Sequence, residues 1–99
     1  MLFRSLKINV PVVGVTGTNG KTTVKDIINS ILSYVDNPLC SEANFNNHIG
    51  VPATLLKLKK EHTHAVVEMG MNHPGEIKTL SEIALPDAAV ITSIGCGHL

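Results

Sequence analysis

The sequence lacks several features that would assign it to a specialised class of protein. Its eight basic and eight acidic side chains leave a formal net charge of zero. Without a broad basic surface, no binding to nucleic acid or to an anionic membrane through charge is expected, so any anion site must be local. No apolar run approaches the roughly 18 residues of a membrane-spanning helix, so no membrane insertion is predicted.

Cysteine is scarce as well. The two cysteines, Cys40 and Cys96, lie far apart and form no C-x-x-C pair. This spacing argues against a zinc knuckle, a thioredoxin-type redox pair and a secreted disulfide framework, and it favours a reducing compartment. Near the amino terminus Asn9 and Pro11 interrupt an apolar stretch that no small-residue cleavage site follows, which argues against a signal peptide. We therefore predict a cytoplasmic location.

What the sequence does contain is typical of a small folded domain. Of its 99 residues, 43% are apolar and 16% are charged, with only eight glycines and five prolines, a composition that argues against disorder. A chain of this length forms one domain at most, with a modest core.

Strand and helix patterns alternate along the chain. The patterns predict a strand at 12–16, an amphipathic helix at about 21–35, a short strand at 39–41, a helix with Pro52 in its first turn and apolar residues to Leu58, a strand at 64–69, a helix at about 74–84 and a strand at 88–93. In the first helix, polar residues that include Lys25 fall between apolar residues at helical spacing. Strands that alternate with helices predict an α/β fold, a parallel sheet with helices on both faces.

The first strand runs into a glycine-rich loop at the edge of the sheet where ligands of open α/β folds bind. Glycines let backbone N–H groups turn towards an anion, the next helix directs its positive end to the same point, Lys21 adds a full charge and Thr22 offers a hydroxyl group to magnesium. These groups suit a nucleoside triphosphate. The predicted binding residues are Gly17, Thr18, Asn19, Gly20, Lys21, Thr22 and Thr23.

The glycine spacing of this loop is unusual. The general phosphate-loop pattern requires glycine five residues before Gly20, where Val15 stands; instead glycine recurs at every third residue, at Gly14, Gly17 and Gly20. An ordinary glycine turn with an exposed lysine is the alternative. The order of strand, loop, lysine, hydroxyl pair and amphipathic helix favours the phosphate loop.

This spacing resembles the phosphate loop in the central, ATP-binding domain of the Mur ligase family. Three further segments are similar to that family: NFNNHIGVP at 44–52, EMGMNHPGEI at 68–77 and ITSIGCGHL at 91–99. Together they look most like the member that adds D-alanyl-D-alanine to UDP-N-acetylmuramoyl-tripeptide. The resemblance implies a sheet of the P-loop NTPase type, and it implies that residues 1–99 are part of the central domain, without the N-terminal UDP-sugar domain and the C-terminal ligase domain.

The resemblance also implies a reaction and its residues. The family uses ATP to activate a substrate carboxylate as an acyl phosphate, which an amine then attacks to form an amide. By residue-to-residue resemblance, Lys21 would hold the β- and γ-phosphates, and Thr22, Glu68 and His98 would bind Mg²⁺, so that Lys21 and His98 are the implied catalytic residues. The implied substrates of a full-length enzyme are a UDP-muramoyl peptide and D-alanyl-D-alanine. Cations have a clear purpose in such a site, because two anionic reactants must approach each other.

Two asparagines and two departures from the family pattern complete the candidate site. Asn46 and Asn47 either line the substrate or metal site or simply form a turn, since asparagine tolerates left-handed geometry. Ser93 and Cys96 stand where the most similar family member usually has asparagine, and they leave His98 in place.

Three functions remain open at this point. The leading hypothesis is the ATP-binding part of an amide-forming ligase of peptidoglycan precursor synthesis, inactive by itself. The alternatives are a stand-alone nucleotide-binding module without ligase activity, and another ligase of the superfamily, of the folylpolyglutamate or cyanophycin type. The motifs Asn46-Asn47 and Glu68-Met69-Gly70 favour the cell-wall ligase over the last of these.

Overall fold

A computed structural model describes residues 10–42, 45–70 and 75–93 of the chain. Strands and helices alternate along them as the sequence predicts: β1 (Val12–Thr16), α1 (Lys21–Val35), β2 (Pro38–Cys40), α2 (Gly50–Leu55), β3 (His64–Glu68), α3 (Glu76–Ala84) and β4 (Ala88–Ile91). None of the helices in these ranges is long and apolar enough to cross a membrane.

The four strands form one parallel sheet in the order β2-β3-β1-β4. The first strand of the chain is therefore an inner strand, with Val15 opposite Glu68 of β3 on one side and opposite Val90 of β4 on the other. Because parallel strands end at the same edge of a sheet, the loop after β1 and the residues that end β2, β3 and β4 lie together. The predicted parallel α/β sheet is confirmed.

Most of the apolar core lies on the face of the sheet that α2 and α3 cover. Val12 and Val67 of the inner strands pack there with Leu55 of α2 and Leu80 of α3, and each of these side chains is at most 1% exposed. Full burial of one such side chain contributes about 1.5–3 kcal/mol. Alternate strand residues such as Val15 point to the opposite face, where α1 packs against β1, β2 and β3.

Helix α1 has the predicted bounds, but its exposed and buried faces differ from an ordinary amphipathic pattern. Lys25 is buried, with 4% of its surface exposed, whereas Ile27 and Ile31 are 53% and 64% exposed. At this rotation of the helix the Nζ atom of Lys25 donates a hydrogen bond to the carbonyl oxygen of Ser41, which follows β2. Among the residues described, then, part of the apolar stripe of α1 faces away from the sheet.

The second helix begins two residues before Pro52 and ends at Leu55, earlier than the sequence predicts. It starts at Gly50 because the side-chain oxygen of Asn47 accepts the N–H of Gly50 at 2.8 Å. Other bounds shift slightly: the short strand is 38–40 rather than 39–41, β3 ends at 68 rather than 69, β4 ends at 91 rather than 93, and α3 starts at 76, while residue 74, where its start was predicted, lies outside the described residues.

Candidate functional site

The loop between β1 and α1 has a backbone that only glycine suits. Gly17 has a φ angle of +129°, and a Cβ atom there would overlap Oγ1 of Thr92 and the backbone of Ser93. Gly20, at φ +80°, is the N-cap of α1, and no side chain caps that end. The first N–H groups of a helix have no acceptor within the helix, so those of α1 are available to donate hydrogen bonds to an anion.

Lys21 lies against this loop. Its side chain folds back over the glycines, and Nζ donates a hydrogen bond to the carbonyl oxygen of Gly17 at 2.9 Å. The ammonium group and the positive end of α1 thus lie at the same place. This is the arrangement of charges expected for binding a phosphate chain.

The residues after β4 hold the other side of the loop. The N–H of Thr18 donates to the carbonyl oxygen of Ser93, and the N–H of Thr92 donates to that of Thr16, both at 2.9 Å. The hydroxyl oxygen of Ser93 accepts the N–H of Asn19 at 3.3 Å and lies 3.2 Å from that of Thr18. Ser93, a departure from the family pattern, therefore has hydrogen bonds of its own with the phosphate loop.

Glu68 ends β3 beside the loop, and only 2% of it is exposed. One carboxylate oxygen accepts the hydroxyl group of Thr22 at 3.1 Å, and the other accepts the side-chain amide of Asn46 at 3.0 Å. These contacts offset the cost of burying a charged group. The structure thus brings together two of the predicted metal ligands, Thr22 and Glu68, whereas His98 and Cys96 lie outside the described residues.

The oxygens present fit Mg²⁺ better than other metals. Magnesium binds hydroxyl and carboxylate oxygens, usually with one or two carboxylates, and keeps its other positions for water and phosphate. Within residues 10–42, 45–70 and 75–93 no group of three or more histidine, cysteine, aspartate or glutamate side chains forms a metal cage. A single buried carboxylate next to a phosphate loop suits a cation that is shared with a nucleotide.

The two candidate asparagines have different environments. The side-chain amide of Asn46 contacts Glu68, and the backbone carbonyl oxygen of Asn46 accepts the N–H of Gly70 at 2.6 Å. Asn46 therefore joins the loop before α2 to the end of β3. The side-chain oxygen of Asn47 accepts the N–H groups of Ile49 and Gly50 and starts α2. Asn46 is therefore next to the buried carboxylate of Glu68, and Asn47 has the contacts of a turn-forming residue, which is the alternative that the sequence leaves open.

Sequence reasoning missed two buried polar residues behind this site, Ser41 and Lys25. The Ser41 hydroxyl oxygen accepts the N–H of Glu68, and the Ser41 carbonyl oxygen accepts Nζ of Lys25, both at 2.9 Å. The sequence contains a signal for each residue. Ser41 follows a short strand, which places it at the same edge of the sheet as Glu68 at the end of β3. Lys25 comes one helical turn after Lys21.

The Cys40 thiol lies beside the same residues. Burial raises the pKa of this thiol, the charge of Lys25 lowers it, and the charges of Asp26 and Glu68 raise it further. The net effect is a raised pKa, which is the opposite of what a reactive thiolate requires.

The sequence matches the family described as Mur ligase middle domain over residues 15–99. Two similar curated proteins are named UDP-N-acetylmuramoyl-tripeptide--D-alanyl-D-alanine ligase: that of Bacillus subtilis is 50% identical over 93 residues, and that of Synechocystis sp. is 45% identical over 93 residues. Each match covers 94% of this chain and 20% of the relative. The chain thus spans about one fifth of the length of these relatives.

Solved structures show the same likeness. MurF from Acinetobacter baumannii superposes with a TM-score of 0.88 at 46% identity, over 97% of this chain and 21% of that one. MurF ligase from Thermotoga maritima, solved in complex with ADP, superposes with a TM-score of 0.80 at 38% identity, over 92% of this chain and 21% of that one. These likenesses confirm the predicted fold class.

Proposed function

The chain belongs to the Mur ligase middle domain family, and from that premise we propose that it is the ATP-binding part of an amide-forming ligase of peptidoglycan precursor synthesis. The reaction proposed for the whole enzyme is the addition of D-alanyl-D-alanine to UDP-N-acetylmuramoyl-tripeptide, as the names of the relatives state for those proteins. One observation carries the proposal: the phosphate loop, Lys21 and the uncapped start of α1 meet beside the buried carboxylate of Glu68.

In this proposal the loop binds the phosphate chain of ATP. The proposed contacts come from Gly17, Thr18, Asn19, Gly20, Lys21, Thr22 and Thr23. Lys21 is already at the loop and has to exchange its hydrogen bond with the Gly17 carbonyl oxygen for one with a phosphate oxygen. The Thermotoga maritima relative was solved in complex with ADP, which supports nucleotide binding by the proposed enzyme.

Thr22 and Glu68 are the proposed Mg²⁺ ligands, with His98 as a third. When bound, the cation would supply positive charge that lowers the repulsion between two anionic reactants. Within the chain, the carboxylate of Glu68 is held from both sides by Thr22 and Asn46. Lys21 and His98 are the proposed catalytic residues.

Asn46 and Asn47 are proposed to line the substrate or metal site. Asn46 is the better supported, because its amide already contacts Glu68. Since the chain spans about one fifth of its relatives, the UDP-sugar and amine sites are proposed to lie outside residues 1–99, which form part of the central domain. The separated cysteines support the cytoplasmic location proposed for the enzyme.

The proposal is tested by nucleotide binding to the 99-residue chain. Calorimetry with Mg²⁺-ATP should show binding to the wild type. The variant Lys21→Ala should bind at least roughly tenfold more weakly, because a hydrogen bond to a charged group contributes about 1.5–3 kcal/mol. The control Lys60→Ala removes an exposed lysine and should bind as the wild type does. Equal affinity of Lys21→Ala and the wild type would refute the proposal.

A further inference from the structure

Lys25 is a buried cation that touches none of the proposed nucleotide-binding groups. It lies on α1 one turn after Lys21, yet it points to the end of β2, where Nζ contacts the carbonyl oxygen of Ser41 at 2.9 Å. Its ion pair with Asp26, at 3.5 Å, involves a carboxylate whose side chain is 64% exposed, so water screens most of that attraction. The burial of this charge therefore depends mainly on Ser41.

Ser41 joins Lys25 to the carboxylate at the centre of the site. Only 3% of Ser41 is exposed, and all of its backbone polar groups have partners: its N–H donates to Val66, and its carbonyl oxygen accepts Lys25. Its hydroxyl oxygen accepts the N–H of Glu68 at 2.9 Å. One buried residue thus connects the ammonium group of Lys25 to the backbone that carries the Glu68 side chain.

Two residues of the same helix, Thr22 and Lys25, hold Glu68. Thr22 and Lys25 are three residues apart on α1, so they lie on neighbouring positions of one face. Thr22 contacts the Glu68 carboxylate directly, and Lys25 reaches the Glu68 backbone through Ser41. Glu68 is therefore fixed to α1 at two points, once at its side chain and once at its main chain. The charges of Lys25 and Glu68 also act on the same neighbouring thiol, that of Cys40.

We propose that Lys25 is a positioning residue of the divalent-cation site, which acts through Ser41 to hold Glu68 at the correct distance from Thr22. The inference rests on the proposed function, because it assumes that Thr22 and Glu68 share a cation with a nucleotide. Residues that orient metal ligands from behind typically change metal affinity by about 10- to 100-fold when they are removed. Lys25 should therefore affect Mg²⁺ binding and leave the phosphate loop unaffected.

The test separates nucleotide affinity from metal affinity in the 99-residue chain. Calorimetry measures ADP binding in the presence of EDTA, and then Mg²⁺ binding to the ADP-loaded chain. Lys25→Met removes the charge and the hydrogen bond but keeps an unbranched side chain of similar length. We expect unchanged ADP affinity in EDTA and a Mg²⁺ affinity lower by roughly 10- to 100-fold. Lys25→Arg, which keeps the charge, should retain most of the Mg²⁺ affinity, and Lys60→Met is the matched exposed control.

A second variant covers the case in which Lys25→Met does not fold, as judged by circular dichroism. Ser41→Ala removes the acceptor of the Glu68 N–H while Lys25 stays in place, and it should show the same selective loss of Mg²⁺ affinity. A double variant that combines Lys25→Met with Ser41→Ala should lose little more Mg²⁺ affinity than the more affected single variant, because both residues act through the same hydrogen bonds.

The outcomes are distinct. A folded Lys25→Met chain with wild-type Mg²⁺ affinity overturns the inference, as does an equal loss of ADP affinity in EDTA, which would indicate a purely structural role. If Lys25→Met is unfolded, a Ser41→Ala chain with wild-type Mg²⁺ affinity overturns it instead. A wild-type chain that binds no ADP with or without Mg²⁺ overturns the proposed function, and this inference with it.

Discussion

Gly17 is the residue of the phosphate loop that tolerates substitution least. Its φ angle of +129° disfavours any side chain, and a Cβ atom would also overlap Thr92 and Ser93. Gly75 has a left-handed φ of +79°, and among the described residues outside its chain neighbours no atom lies within 4 Å of a Cβ placed there, so it tests the backbone effect without such an overlap. These two glycines separate the cost of conformation from the cost of steric overlap.

We expect Gly17→Ala to lower the free energy of unfolding by at least about 2 kcal/mol, from backbone strain and overpacking together. Gly75→Ala should cost only about 1–2 kcal/mol, the cost of the left-handed conformation alone. Urea unfolding of both variants measures the difference. Equal losses would contradict the close contact between Gly17 and the residues after β4.

Cys40 gives the chain a pH dependence above neutrality. Because burial raises the pKa of the thiol in the folded state, the folded chain binds this proton more tightly than the unfolded chain. The contribution to stability is then fully present below the ordinary thiol pKa of about 8.5 and is lost as the pH rises through the higher folded value.

In a Cys96→Ser background, alkylation of Cys40 by iodoacetamide at pH 8.5 should be slower in the folded chain than in urea. Equal alkylation rates in the folded chain and in urea would contradict the raised pKa. So would a Cys40→Ala variant whose free energy of unfolding depends on pH above neutrality as strongly as that of the wild type.

At the scale of the elements, α1 and α3 bury apolar surface to different degrees. Leu80 of α3 is completely buried, whereas Ile31 of α1 is 64% exposed. Leu80→Ala should therefore cost about 2–5 kcal/mol of stability in urea unfolding, while Ile31→Ala should change it by no more than about 0.5 kcal/mol. A large effect at Ile31 would show that α1 packs through its apolar stripe, contrary to the structure.

The elements also show how far the sequence determines the fold. Helix α1 was predicted with the observed bounds because glycine precedes it and Asp36-Asn37-Pro38 ends it. Its rotation was not predictable, because periodicity shows which residues share a face but not which face finds a partner. In that rotation Lys25 contacts Ser41, a contact that exists only because β2 lies next to β3 in the sheet.

The candidate site was likewise predictable only in part: its local features could be located from the sequence, but its long-range contacts could not. The phosphate loop and Glu68 could be located because glycine spacing and strand ends are local features of the sequence. The hydrogen bonds that Thr92 and Ser93 make with the loop join residues about 75 positions apart, and only the strand order brings them together. Likewise, the sequence allows Asn47 either a place in the substrate or metal site or a role in a turn, and the contact by which it starts α2 depends on the path of the loop before that helix.

At the scale of the whole molecule, the 99-residue chain should bind nucleotide without completing a reaction. With ATP, UDP-muramoyl-tripeptide and D-alanyl-D-alanine present, we expect no phosphate release above that of Lys21→Ala, because the relatives named for the whole reaction are about five times as long. A phosphate-release assay at high chain concentration measures this. Turnover that depends on both substrates would show that these residues are sufficient for catalysis.

The inner position of β1 has a consequence for how the chain folds during synthesis. Of the four described strands β1 is made before the others, but it pairs with β3 and β4, and its backbone contact with Asp87 joins residues 75 positions apart. At about 5–20 residues per second, a ribosome takes roughly 4–15 s to cover that distance. Until β3 is made, the apolar strand β1 has no partner strand, and until the residues after β4 are made, the phosphate loop cannot contact Thr92 and Ser93. The proposed nucleotide site thus forms only after β4 has been made, although the loop at its centre is made about 75 residues earlier.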